Sequence, residues 1–380
     1  MGLVTTPEPV IPDYAGEWVG GIVPALLTGR PAARPGWISS RLGSDSDDEG
    51  PVVLFVLDGL GWNQFDVRRD IAPNLASLRG SFVRTVAPST TATALTSIAT
   101  GATPVEHGIL GYRMHMGGGT VMNTLRWGDQ GRDFVRKYPP ESVQPVVPFC
   151  GFSPPVVSKV DFVGSAFTSS HMRGVRHHPY RVVSTLVSEV VALVAAGESF
   201  VYCYWDGIDT TAHEHGFGEQ YDEALRLADH LVGRLLERLP VGTTLLVTAD
   251  HGQVETADRE IHPDADLLRL VDFQSGEGRF RWLHARDGRA ADLERECHAR
   301  WSDVAWVMGV DETLDRGVFG PVSSQRVRDA ARRRLGDVAL VPFAPTTFHD
   351  PMDSGPFRLV CRHGSLTADE MLVPFLSSAR

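Results

Sequence analysis

Short, unbroken apolar runs alternate along this chain with longer stretches whose apolar residues recur at helical spacing. The runs "PVVLFVL" (51–57), "SFVYCYW" (199–205) and "TTLLVTAD" (243–250) are short, Val- and aromatic-rich, and lack the polar alternation of a half-exposed strand. Strands buried on both faces read this way, and such strands belong to parallel sheets. Helical patterns lie between them at "APNLASLRG" (72–80), "TATALTSIATG" (91–101), "RVVSTLVSEVVALVAAG" (181–197) and "EQYDEALRLADHLVGRLLERL" (219–239). The second stops at Gly101, a favourable residue just past a helix end. Strands alternating with helices predict an α/β architecture with a mostly parallel central sheet.

The pattern changes at both ends and once inside. Residues 1–50 are Pro-rich and then Asp/Ser/Gly-rich in "RLGSDSDDEG", which predicts a loosely held N-terminal arm ending in a flexible loop. Residues 51–263 form the first part of the core. Over 264–325, "GRFRWLHA", "ADLERECHARW", "VAWVMGV" and "DETLDRGVF" alternate strand and helix on a smaller scale, which predicts a small inserted α+β cap. In the last part, 326–380, "RLGDVALVPFA" and "FRLVCRHGS" read as strands returning to the core.

Composition narrows the function. A chain of 380 residues is long for a single core, which fits one large domain carrying an insertion. The net charge is −11 with no basic stripe, which argues against binding a nucleic acid polymer. An acidic protein that handles phosphates must supply positive charge locally, and a bound metal does that. Cys150, Cys203, Cys297 and Cys361 are far apart, so neither a zinc ribbon nor a disulfide scaffold is expected. The N-terminus lacks a basic segment leading into an apolar one, and no apolar run reaches the ~18–20 residues of a membrane span. The expectation is a cytoplasmic protein with no membrane partner. No motif fixes an oligomeric state.

The apolar runs end in chemically active residues. Asp58 follows "VVLFVL", Asp209 lies just past "FVYCYW" in "DGIDTTAHEHG", and Asp250-His251 follows "LLVTA". A fourth run, "FRLVCR", precedes His363. In open α/β sheets, sites form outside the carboxyl ends of the strands. Asp209 and His213 are four residues apart, which on a helix puts both on one face, able to hold one cation. Alone, Asp58-Gly59 is a strand-end turn and Asp250 a turn cap; the metal reading comes from the set. Carboxylate oxygens mixed with imidazole nitrogens suit Zn2+ or Mn2+ better than Ca2+. Two such cations about 3.5–4 Å apart can clamp both oxygens of an in-line phosphoryl displacement. The segment "PSTTATALTSIATG" (88–101) offers a hydroxyl nucleophile at a helix N-terminus, where backbone N–H groups favour an anion.

The ordered set "VLDGLG", "PSTTATALTSIATGATPVEHGI", "YWDGIDTTAHEHG", "TADHG" and "RHGSLTADEMLVPFL" resembles the alkaline phosphatase superfamily over residues 51–380. Within it, the type I phosphodiesterase/nucleotide pyrophosphatase branch is the most similar. The resemblance implies an alkaline-phosphatase-like α/β sandwich with two divalent metal ions. Asp209, His213 and His363 would bind one, and Asp58, Asp250 and His251 the other, together with Thr91. Family relatives place a nucleophilic threonine ten residues before the Gly of "TG", here Gly101, which points to Thr91, with Thr90 the competing choice. A threonine without the characteristic arginine argues against a sulfatase. Many relatives carry a phosphate-binding Asn shortly after "HGI"; this chain has Tyr112 and Arg113 there, and Asn123 could reach the phosphate from the next strand.

The implied activity is hydrolysis of nucleotide phosphodiester bonds through a covalent nucleotidyl-threonine, with net retention at phosphorus. The chain is also similar to compact bacterial members that cleave cyclic di-AMP, so the expected ligand is a nucleotide or cyclic dinucleotide. A general nucleotide pyrophosphatase or alkaline phosphomonoesterase is the alternative within the class. A non-catalytic nucleotide-binding module is the alternative outside it, against which the complete ligand set speaks. Asp206, His215 and His107 lie near the motifs without matching spacing and are assigned supporting roles. Tyr112, Trp127 and Phe167 are aromatic residues that either stack on a base or fill the core.

Overall fold

The computed structural model describes residues 6–28, 34–42, 50–256, 259–353 and 358–378. The apolar runs become strands where expected: β1 (Val52–Leu57), β2 (Arg79–Arg84), β3 (Pro155–Val157), β4 (Arg176–His177), β5 (Phe200–Trp205) and β6 (Thr244–Thr248). A second unit contributes β7 (Val271–Glu277), β8 (Phe280–Ala285), β9 (Ala305–Gly309) and β10 (Val338–Pro342). The chain then returns to the core with β11 (Leu372–Ser377).

The central sheet has the order β2-β11-β6-β1-β5-β3-β4. Neighbours from β6 through β4 pair in parallel, while β11 runs antiparallel to both β6 and β2. Every residue of β1 and β5 is buried, as their unbroken apolar sequence requires. Because β6, β1 and β5 are adjacent and parallel, their carboxyl ends open on one edge. That edge carries Asp58, the segment leading to Asp209, and Asp250-His251.

The main helices are α1 (Ile22–Leu27), α2 (Gly36–Leu42), α3 (Thr91–Thr100), α4 (Ala166–His171), α5 (Leu186–Ala195), α6 (Gly207–His215), α7 (Glu219–Arg238) and α8 (Ala290–Trp301). As the sequence predicts, α3 ends at Gly101, which adopts φ 71°. A side chain there would also collide with Pro24, whose Cγ lies 2.3 Å from where a Cβ would sit.

Three expectations change. The described part of the N-terminal arm is not loosely held: Val19, Ile22 and Val23 are fully buried, and Val10 N donates to Leu366 O at 2.9 Å. Its high proline content masked the apolar spacing of 18–25. The predicted flexible loop at 43–49 lies outside the described residues.

The inserted unit does not end at 325. Strand β10 pairs antiparallel with both β8 and β9, so the run "VALVP" belongs to the second sheet, in the order β7-β8-β10-β9. An apolar run buried on both faces reads the same in either sheet. This unit has its own core, including Leu267, Leu283, Leu293, Trp301, Leu340 and Phe348.

The run "FRLVCR" does not return to the central sheet either. Cys361–Arg362 makes a two-residue antiparallel ladder with Val254–Glu255, and the returning core strand is β11. The short ladder nonetheless places His363 beside the end of β6.

Candidate active site

The six predicted metal ligands converge at the carboxyl edge of β6, β1 and β5. Asp58, Asp250 and His251 bring ligand atoms within 4.8 Å of one another, and so do Asp209, His251 and His363. His213 joins the second group, with Nε2 3.3 Å from Asp209 Oδ1. Asp209 and His213 lie on α6, so the helical spacing read from the sequence holds. Gly59 makes the close approach possible. It adopts φ 73°, and an added Cβ would sit 2.8 Å from the Asp209 Cβ. Its backbone N–H donates to Asp250 Oδ1 at 3.1 Å, and Asp209 N donates to Asp58 O at 3.1 Å.

The imidazoles are oriented by carbonyl groups. His213 Nδ1 lies 2.7 Å from Cys361 O, His251 Nδ1 3.1 Å from Gly252 O, and His363 Nδ1 2.9 Å from Ser89 O. A carbonyl only accepts, so each Nδ1 carries the proton and each Nε2 presents a lone pair to the cluster. Asp58 Oδ1 and Asp250 Oδ2 are buried and accept no hydrogen bond. They stand 3.4 and 3.5 Å from His251 Nε2. Around them, the Tyr204 hydroxyl donates to Asp58 Oδ2, and Gln253 Nε2 donates to Asp209 Oδ1 at 2.9 Å.

The electrostatics are those of a site short of positive charge. Burial, then repulsion from Asp250 and Asp209, raises the Asp58 carboxyl well above its ordinary range. Burial also raises Asp209, opposed by His213 and His251. Burial and the neighbouring His251 and His213 push His363 well below its usual value. Orphaned carboxylate oxygens facing imidazole lone pairs are an N/O donor set that fits divalent transition-metal ions.

The structure separates Thr91 from Thr90. Thr90 is the N-cap of α3, buried, and its side chain hydrogen-bonds Glu277 of the second unit. Thr91 is the first helical residue, and its Oγ1 lies 3.0 Å from His251 Nε2. Since Nε2 carries a lone pair, the Thr91 hydroxyl donates. No side chain caps α3, which leaves its first N–H groups to meet an anion. Ser89 ties this helix start to His363: its N–H donates to Gly364 O at 3.2 Å, and Gly364 N donates to Ser89 Oγ at 3.1 Å.

A cavity of about 340 Å³ opens beside Thr91, Asp58 and Asp209, walled by Phe162, Phe167, His171 and Tyr204 among others. Among the described residues, its lining falls between Asp58 and Thr210 and none of it comes from the inserted unit. Phe167 is therefore a wall residue, stacked on His171 at 4.1 Å, whereas Trp127 is core, with Nε1 donating to Tyr138 O at 2.7 Å. Asp206 lines the cavity, and His107 is buried against Ser97.

The substrate-binding expectations divide. Arg113 does not face the site: it is buried in an ion pair with Asp350 at 2.6 Å, because the strand Arg113–His115 turns it towards the second unit. Tyr112 and Asn123 hydrogen-bond to each other, and Tyr112 lies near Glu277. From this hairpin it is Leu125 that reaches the cavity wall. Sequence reasoning missed Tyr204, Gln253, Phe162 and His171. The first two were legible in part, at the end of an apolar run and two residues past His251; the others sit in loops and a short helix with no periodic signal.

The sequence profile of the type I phosphodiesterase / nucleotide pyrophosphatase family matches residues 52–342. The chain belongs to this family. Among curated family relatives it is similar to venom phosphodiesterase 2 of Crotalus adamanteus, 25% identical over 252 residues, covering 61% of this chain and 30% of that protein. Venom phosphodiesterase of Naja atra is 25% identical over 270 residues, covering 64% of this chain and 32% of that one. The chain thus spans about a third of the length of these relatives. Among solved structures, an inactive murine ectonucleotide pyrophosphatase/phosphodiesterase 5 in complex with AMP superposes with a TM-score of 0.62 at 16% identity, over 87% of this chain and 88% of that one. Phosphonoacetate hydrolase from Sinorhizobium meliloti with phosphonoacetate superposes at 0.63 and 18% identity, over 87% and 90%. These structures share the alkaline-phosphatase-like fold, an α/β arrangement around a mixed, mostly parallel sheet.

Proposed function

We propose that this chain is a metal-dependent phosphodiesterase acting on nucleotides, with Thr91 as its nucleophile. The observation that carries the reading is the placement of Thr91 Oγ1 against His251 Nε2, between the ligand cluster and the cavity. Asp58, Asp250 and His251 would hold one divalent cation and Asp209, His213 and His363 a second, Zn2+ or Mn2+, whose charge activates the hydroxyl and neutralises the phosphoryl group.

The chain's own residues do the positioning. In this structure His251 Nε2 accepts from Thr91 and brings its Oγ to the candidate ligand cluster; with a cation held there, that lone pair would go to the metal and release the hydroxyl to face it. The uncapped N-terminus of α3 offers backbone N–H groups to the phosphoryl oxygens. Thr91 Oγ, its proton released to solvent, attacks phosphorus in line; the bond to the leaving alkoxide breaks, the alkoxide takes a proton from solvent, and a nucleotidyl-threonine forms. Water then cleaves the threonine ester, giving two inversions and net retention.

The cavity volume supports a nucleotide. About 340 Å³ is at the small end of ligand pockets, ~300–1,000 Å³. It suits one nucleoside against the Phe162, Phe167 and Tyr204 rings, and a family structure with AMP bound is consistent with this. Cyclic di-AMP is the proposed physiological substrate, one half entering the cavity while the other stays outside. A cytoplasmic location is part of this proposal.

The test is a chromatographic assay with cyclic di-AMP, linear dinucleotides, ATP and p-nitrophenyl esters, run with and without Mn2+ and Zn2+. Cleavage of cyclic di-AMP to pApA or AMP, lost with a chelator, is the expected result. Faster turnover of a simple monoester overturns the diesterase reading. Absence of turnover on every substrate at full metal loading favours a binding module.

A further inference from the structure

The two segments that join the second unit to the core meet in a short parallel ladder, away from the candidate active site. Glu260 pairs with Thr347 and Ile261 with Phe348, and the pairing extends one step further as His349 N donates to Ile261 O at 2.9 Å. The same register sets His262 beside His349. Alternate residues of a strand face opposite sides. Phe348 lies in the core of the second unit with Ile261 packed against it, so Glu260, His262 and His349 share the outer face.

Their side chains converge on one point. His262 Nε2 is 3.3 Å and His349 Nδ1 3.2 Å from the same oxygen, Glu260 Oε2. The two rings lie 4.2 Å apart, inclined by 30°. Zinc bonds of about 2.0–2.2 Å in a tetrahedral site put neighbouring ligand atoms about 3.3–3.6 Å apart, so these separations already match. Two described charged neighbours are turned elsewhere: the Arg259 guanidinium bonds the carbonyls of Thr256 and Glu255, and Asp264 pairs with Arg300.

We propose that Glu260, His262 and His349 form a Zn2+ site that clasps the neck of the second unit, separate from the candidate catalytic centre. Two imidazoles and one carboxylate are a zinc donor set, and three protein ligands leave one position for water. His262 is 62% exposed, so an ion enters from solvent without opening the fold. The chain enters the second unit at Glu260–His262 and leaves it at Thr347–His349. A cation there links the two crossings and closes the loop that carries the whole second sheet.

The test uses the full chain, stripped with a chelator and then titrated with Zn2+ alone. By elemental analysis after gel filtration, the wild type should retain one equivalent more Zn2+ per chain than the double variant His262→Ala/His349→Ala. That difference is read whatever the catalytic centre holds. Zn2+ should also raise the melting temperature of the wild type more than that of the double variant. Glu260→Gln keeps both imidazoles and should weaken Zn2+ binding at this site by at least roughly tenfold. Equal zinc content and equal thermal shifts in the wild type and both variants, with circular dichroism showing all three folded, would overturn the proposal.

Discussion

A single step along the backbone separates two hydroxyls with different surroundings. Thr90 is buried against Glu277, whose carboxyl burial pushes up to about 8, while Thr91 meets His251 and the cavity. Thr91→Ala should therefore lower turnover by roughly 10³-fold or more with both metals still bound, measured by steady-state hydrolysis alongside elemental analysis. An effect of that size from Thr90→Ala, with Thr91→Ala active, would reverse the assignment. Tyr204 acts one contact further out, since its hydroxyl holds Asp58 Oδ2. Tyr204→Phe removes that hydrogen bond while leaving the ring. Metal affinity is expected to fall by roughly ten- to a hundredfold, read by competition with a fluorescent chelator.

At the level of elements, the site is a product of three parallel strands ending together. Because β6, β1 and β5 are neighbours, candidate ligands separated by some two hundred residues in sequence reach one edge. The closing strand β11 is held from the second unit. Arg279, in the turn between β7 and β8, makes a two-point ion pair with Glu370 just before β11, at 2.9 and 2.7 Å. Both side chains are fully buried. Arg279 also bonds the carbonyls of Ala344, Thr346 and Pro342. Removing one partner of such a pair strands a charge. Arg279→Met should cost about 3–5 kcal/mol in urea unfolding, whereas replacing both Arg279 and Glu370 by apolar residues should cost less. Equal losses in the single and double variants would show that the pair is not coupled.

For the whole molecule, buried neutral histidines set the acid limit. Burial, helped by Arg334, lowers His107 to about 3, and burial, helped by His115, lowers His284 to about 3. Each is ordinarily near 6.5, so below that pH the unfolded chain takes up a proton that the folded chain refuses. Their contribution is full above about pH 6.5 and is lost as pH falls towards 3. Each adds up to roughly 1.4 kcal/mol per pH unit in that window. Glu277 acts in the opposite sense, because its raised carboxyl binds a proton in the fold. Comparing wild type with His107→Gln isolates one group. The variant's unfolding free energy between pH 6 and 4 should slope less steeply, by one proton, and identical slopes would contradict this assignment.

The sequence by itself determined the strands with unbroken apolar runs, the helix that starts at Thr91 and ends at Gly101, and the residues offered as candidate ligands. Those are local properties, fixed by periodicity, by turn chemistry and by the ordered set of motifs. It also carried the pairing of Asp209 with His213, because a helix brings residues four apart together. Tertiary structure decided the rest. An apolar strand buried on both faces does not declare its sheet, so β10 was assigned to the wrong one. Arg113 found its partner at Asp350, far away in sequence, where no local pattern could show it. The cavity walls are assembled from loops and a short helix, and the outer face of the Glu260–His349 ladder exists only because two crossings of the chain lie in register. Such contacts depend on long-range register and packing, and neither is written in any one stretch of the chain.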